Sequence, residues 1–412
     1  MVNSSFEKRL AAYAELMVRV GVNLQPGQKL LIRASIEAAP VVRKAVEIAY
    51  KLGSPLVEVI WNDDAVTRAR FLHGPPGSFS MIPEYRAKGM IALAEEGAAS
   101  LSIIADDPDT LVGTDPDNFA TYMKVWRKAV KPFGDLTMRD AIAWCVAAAA
   151  APAWARRVFP GLPEGEAVAK LWDAIFTATR IDQPDPVGAW REHSDSLKRK
   201  RELLNERRYQ TLHLRGPGTD LRLGLPDDHL WDGGVSRTTG GTLFMPNMPT
   251  EEVFTAPHRD KVDGVVRASM PLAYNGTIIQ DFELRFEKGA VVHARAGSGQ
   301  RALESILETD DGARRLGEVA LVPASSPIAK AGLLFLETLF DENAASHIAL
   351  GRAYPTSFAN SQGMTPDQLI GKGMNDSLAH VDFMIGSAEM DVDGVRQGGM
   401  VEPVMRGGEW VV

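Results

Sequence analysis

The chain has 412 residues, enough for two or three domains with a substantial core, and its 45% hydrophobic and 24% charged content is ordinary for a globular protein. With 45 basic against 53 acidic residues it carries a formal charge of -8 at pH 7, which argues against a nucleic-acid partner, whose footprint would be a basic face. The only cysteine, Cys145, excludes an internal disulfide, and its setting in AIAWCVAAAA reads as a helical run holding a buried, inert thiol. The opening segment MVNSSFEKRL has no apolar signal core, and no stretch reaches the roughly 18 apolar residues of a membrane span. A cytoplasmic address with no membrane partner is therefore expected.

Leu10, Tyr13, Met17 and Val20 recur at helical spacing before Gly21, which predicts a first amphipathic helix from Phe6. Residues 30–34, 56–61 and 101–105 are short apolar runs separated by helix-like segments such as 40–52. That alternation predicts βαβ units on a parallel sheet. Ligands favour the carboxyl ends of such strands, which directs attention to Asp63 and Asp64, and to Asp106 and Asp107. No G-x-G-x-x-G follows any strand and no G-x-x-x-x-G-K-[ST] occurs, so a nucleotide cradle has no support. Residues 136–155 and 164–179 read as two helices broken by VFPGLP, with Trp144, Trp154 and Trp172 as packing residues. Residues 189–208 read as a charged, exposed helix whose basic cluster 198–201 is interleaved with acids and forms a solvated face. From Tyr209 onwards the pattern is β: YQTLHLRG, TDLRLGL, GVVRASMPL, TIIQDFELRF and AVVHARA alternate with turn residues. Asn275-Gly276-Thr277 fits a glycosylation pattern but is more simply a turn. The expected organisation is an α/β N-terminal domain with a parallel sheet over 1–208 and an α+β C-terminal domain with a large mixed or antiparallel sheet over 209–412.

Within residues 245–264, MPNMPTEEVFTAPHRDKVDG, Pro249 and Pro257 disfavour helix, so 251–256 reads as a short extended piece. Glu251 and Glu252 would then point to opposite faces. This segment by itself reads as a solvated acidic turn. The last third changes the balance with Glu318 in RRLGEVALVP, His347 in ASHIALGRAYP, and His380 and Asp382 in LAHVDFMIG. Alternation over 378–385 places His380 and Asp382 on one face of a strand, and Gly351 lets a loop return Tyr354 towards His347. Carboxylates buried side by side take up protons unless a cation offsets the cost. Two His, two Glu, one Asp and a Tyr suit Zn, Co or Mn, and they exceed what one tetrahedral ion needs, which points to two metals. The alternative is that both histidines are satisfied core residues and the acids cap helices.

MPNMPTEEVFTAP, GEVALVP, ASHIALGRAYP and HVDFMIG, in that order, resemble the thermophilic-type metalloaminopeptidases, the family of aminopeptidase T and aminopeptidase S. AAPAWARRVFPG, LWDAIF and IDQPDPVGAWREHSDSLKRKRELLN extend the resemblance over nearly the whole chain. It implies two divalent ions (Zn, Co, Mn or Mg) in a C-terminal catalytic domain and removal of N-terminal amino acids from short peptides. It also implies a homodimer whose sites face an internal space. Carried over residue by residue, it makes Glu252, Glu318, His347, Tyr354, His380 and Asp382 the metal ligands. Glu251, not committed to a metal, is the candidate general base. His258, six residues after Glu252, would line the substrate pocket or sit on the surface. No H-E-x-x-H or G-x-S-x-G is present. Two other classes stay open: a mononuclear non-haem iron oxygenase built on His347, His380 and one carboxylate, and a non-catalytic, metal-stabilised binding protein.

Overall fold

The computed structural model describes residues 4–274, 277–361 and 363–412. The turn expected at Asn275-Gly276-Thr277 involves residues 275 and 276, which lie outside the described residues. The chain divides into two compact units: Met1–His193 with Val235–Pro249, and Ser194–Gly234 with Thr250–Val412.

In the first unit, α1 (Ser4–Leu16) buries Leu10, Tyr13 and Leu16 and runs into one wider turn at Met17–Gly21. The strands β1 (Leu30–Ser35), β2 (Val57–Asn62), β3 (Ala99–Ile104) and β4 (Trp144–Ala148) form a parallel sheet in the order β2-β1-β3-β4. They are linked by α2 (Ala39–Lys51), α3 (Asp64–His73), α4 (Glu84–Glu95) and α5 (Pro116–Met138). The expected βαβ architecture is borne out. From β1 the chain builds outwards to β2 and then crosses to β3 on the other side, so the order reverses between β1 and β3.

One expectation fails here. Residues 136–155, read as an Ala-rich helix, are the end of α5, the strand β4 and the start of α6 (Pro152–Val158). Alanine favours helix only weakly against tertiary context. Here β3 pairs with one edge of β4. On the other edge Val146 receives the Met248 N–H at 2.9 Å and donates to Pro246 O at 2.7 Å. With both edges hydrogen-bonded and small side chains that pack under α1, where the Tyr13 hydroxyl donates to Ala148 O at 2.9 Å, the strand wins. Cys145 is buried on it, as expected of an inert thiol, and burial pushes that thiol's pKa far up.

After α7 (Glu164–Ala178) comes α8 (Pro186–Arg207), the helix at whose end the domain boundary was placed; the two units part within it. Its face is not simply solvated. Leu197 and Leu204 are buried in the second unit's core, Arg201 Nη1 donates to Asp232 at 3.2 Å, and Lys200 lies over the Trp410 ring.

The second unit begins with β5 (Thr211–Gly216) and β6 (Thr219–Gly224). The two-residue strands β7 (Ser236–Arg237) and β8 (Leu243–Phe244) lie in the Val235–Pro249 insert of the first unit. There follow β9 (Val253–Thr255), β10 (Val262–Arg267), the ribbon of β11 (Leu272–Tyr274) and β12 (Thr277–Ile279), β13 (Glu283–Glu287) and β14 (Ala290–Arg295). The last strands are β15 (Leu316–Leu321), β16 (His347–Gly351), β17 (His380–Met384), β18 (Asp391–Val395), β19 (Val401–Arg406) and β20 (Glu409–Trp410). Helices α9 (Gln300–Leu307), α10 (Pro327–Ala331), α11 (Thr338–Asp341) and α12 (Pro366–Gly371) fill the connections. Two sheets result: an eight-stranded one, β14-β13-β10-β6-β5-β18-β19-β20, and a four-stranded one, β17-β16-β15-β9. Every ladder in both is antiparallel. The α+β expectation holds.

A single apolar core joins the two sheets. Leu212, Leu214, Leu221 and Leu223 come from the large sheet, and Val253, Val319, Leu321, Ile348, Leu350, Val381 and Phe383 from the small one. Each such side chain contributes about 1.5–3 kcal/mol by leaving water. Because strand side chains alternate, committing these residues to the core sends their sequence neighbours to the opposite face. Those neighbours are Glu252, Glu318, His347, His380 and Asp382.

Candidate metal centre

The register of the small sheet sets the spacing of these groups. Glu318 pairs with Ala349, which pairs with Asp382; Ala320 pairs with His347, and Gly351 with His380. Glu318, His380 and Asp382 are thus flanked across the ladder by alanine or glycine, and His347 by Ala320 on one side and Met384 on the other. Gly351 is required by the backbone: its φ is +104°, and a Cβ there would collide with the Ala379 carbonyl.

The resulting contacts are close. His347 Nε2 lies 3.1 Å from Glu252 Oε2 and 3.8 Å from Glu318 Oε1. His380 Nε2 lies 3.7 Å from Glu318 Oε2 and 3.3 Å from Asp382 Oδ2. Two triads follow, Glu252–Glu318–His347 and Glu318–His380–Asp382, and in each the ligand atoms lie within 4.8 Å of one another. Glu318 belongs to both and turns one oxygen to each. Tyr354 completes the wall, its ring 5.3 Å from that of His380 and 5.9 Å from that of Phe254.

The electrostatics are those of a carboxylate excess under low dielectric. Burial, then Asp382 and Glu252, push the Glu318 carboxyl up to about 8. Burial by itself lowers the His347 imidazole, but its hydrogen bond to Glu252 and the surrounding carboxylates overcome this and push it up to about 10. At His380 burial is likewise outweighed, by Asp382 and Glu318, again to about 10. Asp382 goes the other way: burial opposes ionisation, yet the charge of His380 holds it below the usual carboxylate range. Burial together with Glu318 and Asp382 keeps the Tyr354 phenol protonated.

A residue that sequence patterns did not single out joins this group. Glu342, just after α11, is pushed well above its ordinary pKa by burial and then by Glu252 and Asp382. Only its place five residues before His347, within the apolar run LFDENAASHIAL, hinted at it. Its neighbour Asn343 accepts the Glu251 N–H at 2.6 Å and so ties the two acidic segments together.

The donor set fits divalent cations. Both imidazoles donate Nδ1–H to a backbone carbonyl, His347 to Ala345 O at 3.1 Å and His380 to Arg352 O at 2.7 Å, which presents Nε2 as the ligating atom. Asp382 Oδ1 is buried with no hydrogen-bond partner among the described residues. Mixed nitrogen and oxygen donors without thiolate suit Zn, Co or Mn.

Glu251 is buried beside this group but belongs to neither triad. Its charge acts on Lys200, opposing the lowering that burial imposes on that ammonium. His258 packs against Gly373, and its Nδ1 accepts the Asp260 N–H at 3.2 Å.

Comparison with known proteins decides the family. The profile of the thermophilic metalloprotease (M29) family matches residues 6–410. The chain belongs to that family. It is 50% identical over 405 residues to aminopeptidase 2 of Geobacillus stearothermophilus, covering 98% of each chain. It is 49% identical to aminopeptidase T of Thermus thermophilus, covering 99% of this M29 chain and all of the relative. The solved structure of wild-type AmpT from Thermus thermophilus superposes with a TM-score of 0.94 at 48% identity, over 99% of this chain and 100% of that one. The expectation of a metalloaminopeptidase, a hydrolase of peptide bonds, is borne out at the level of the family. Membership favours neither the iron oxygenase nor the non-catalytic metal protein. No helix among the described residues is long and apolar enough to cross a membrane.

Proposed function

We propose that this M29 protein is a dinuclear metalloaminopeptidase that releases the N-terminal residue from short peptides, with its catalytic residues in 209–412. The observation that carries this reading is Glu318, whose two oxygens each face a different histidine and carboxylate. Glu252, Glu318 and His347 would hold one ion, and Glu318, His380 and Asp382 the other, with Tyr354 and Glu342 as further oxygen donors. When bound, such ions lower the pKa of a water towards neutrality and polarise a scissile carbonyl.

The chain's own groups do the rest. The carbonyls of Ala345 and Arg352 hold the imidazoles in orientation. Glu251 takes the proton from the attacking water and delivers it to the leaving amine. Zn, Co, Mn or Mg is the expected metal, and a homodimer in the cytoplasm the expected setting.

The test is hydrolysis of aminoacyl-p-nitroanilides and their N-acetylated counterparts by metal-free protein, with each metal added back and bound ions counted. Cleavage of only the free-amine substrates, rising as two ions bind, is expected. Cleavage of acetylated substrates would sink the aminopeptidase reading, and full activity with one ion would sink the dinuclear one.

A further inference from the structure

The parallel sheet of the first unit carries a cavity of about 250 Å³ at the carboxyl ends of β1, β2 and β3, where the strand order reverses. In open parallel sheets this is where ligands bind. The wall is built from two guanidinium groups, Arg33 on β1 and Arg86 on α4, and one carboxylate, Asp106 just after β3. Asp106 is exposed as a residue, yet burial of its carboxyl and then Asp64 push that group up to about 6, whereas Arg33 is half-buried and stacks on the Phe133 ring at 5.2 Å. Arg33 Nε is buried with no hydrogen-bond partner among the described residues, and burial lowers the pKa of the guanidinium. A guanidinium held this way calls for an anion. Ile60, Ile103, Met90 and Trp126 supply an apolar side to the same space.

The surroundings limit which anion fits. Two of the chain turns at these strand ends are capped by their own side chains, Ser35 accepting the Glu37 N–H and Asp63 those of Ala65 and Val66, whereas α2 and α4 begin without a side-chain cap. The N–H groups that Ser35 and Asp63 hold are closed to a phosphate. Glu37, Asp63, Asp64 and Asp107 crowd the same loops and repel a polyanion. A molecule carrying both a carboxylate and an ammonium avoids that repulsion. The volume lies below the about 300–1,000 Å³ of sites for larger ligands, which limits the occupant to about the size of one amino acid.

We propose that this cavity binds a free α-amino acid with an apolar side chain, its carboxylate on Arg33 and Arg86 and its ammonium on Asp106. The ligand is of the class that an aminopeptidase releases, but the site stands on the chemistry of the cavity and not on the hydrolytic reading. Binding here requires no turnover, so the two readings fail separately.

The test uses the full-length, metal-loaded protein. Hydrogen exchange and calorimetry are recorded with L-leucine, N-acetyl-leucine, leucinol, which lacks the carboxylate and has no amide to hydrolyse, and inorganic phosphate. Leucine is expected to protect peptides covering 30–38 and 99–109. N-acetyl-leucine and leucinol should both bind roughly tenfold more weakly or worse, and Arg86→Met should weaken leucine to a similar degree. Asp106→Asn, at an exposed position where folding is not at stake, should weaken leucine but spare N-acetyl-leucine. Protection confined to peptides around residues 252, 318 and 347, or phosphate binding as tightly as leucine, would overturn the proposal.

Discussion

In the second unit three carboxylates and two imidazoles gather on one face of a small sheet with Glu342 beside them, whereas in the first unit two guanidinium groups share a cavity wall with a single carboxylate. Both arrangements place an excess of one sign where water is scarce, and both weaken the fold that holds them. They differ in how far the protein itself answers that excess. Around Glu318 the two histidines are drawn into the protonated state and supply part of the missing positive charge. Arg33 has an aromatic face and, among the described residues, no hydrogen-bond partner for its Nε. The first cluster is therefore tuned to exchange protons for cations, and the second is a fixed charge. Cations should stabilise the second unit, by about 2.7 kcal/mol at a hundredfold excess over the dissociation constant.

Disrupting the shared carboxylate gives the largest expected effect. Glu318→Ala removes an oxygen from both triads at once, so both ions should be lost together and activity should fall roughly a thousandfold or more. Loss of one ion, counted by atomic absorption on the dialysed variant, would show that Glu318 is not shared. A smaller effect separates proton transfer from metal binding. Glu251→Gln should lower kcat roughly a hundredfold while both ions stay bound, since Glu251 stands outside both triads. An unchanged kcat would remove Glu251 from the reaction and leave it as a partner of the Lys200 charge.

Where these groups would lie was largely legible in the sequence, for a physical reason. In HVDFM alternation tells which side chains turn away from the core, whereas HIALG and LGEVAL are buried along their whole length, and there an ionisable residue within an apolar run was the signal. Glu342 was not legible because it lies on a turn after α11, where no period assigns a face. The strand β4 was misread because AIAWCVAAAA carries helix propensity, while the partners that make it a strand come from residues 99–104 and 246–248. The carboxyl-end acids were noticed, but Arg33 and Arg86 were not: one sits in an ordinary apolar strand and the other in an ordinary helix. Only the fold brings them to one cavity.

A scaffold residue calibrates the metal side of the comparison. Asn375 is buried, and its Nδ2 donates to Gly312 O at 2.8 Å and Gly351 O at 2.6 Å, fixing the end of β16 next to His380. Asn375→Ala removes the side-chain donor from both carbonyls, leaving Gly312 O with the Arg315 N–H, and should cost about 1–3 kcal/mol in urea denaturation. Metal affinity should fall with it, because the ligating strands lose their alignment. Unchanged affinity at reduced stability would mean that the sheet register alone sets the site.

Arg33→Met should have the smallest effect on stability, and of the opposite sign. The substitution removes a half-buried charge that burial disfavours and keeps an unbranched apolar chain over Phe133. The lost cation–π contact is worth about 0.5–1 kcal/mol, and relief of the desolvation cost exceeds it, so the urea midpoint should rise by the equivalent of about 1 kcal/mol. In the same variant leucine binding should disappear. A stabilised protein that no longer binds would mark Arg33 as a charge kept for its ligand, as the carboxylates around Glu318 are kept for theirs. A destabilised one would make the guanidinium a strut between β1 and α5, and the likeness between the two clusters would end there.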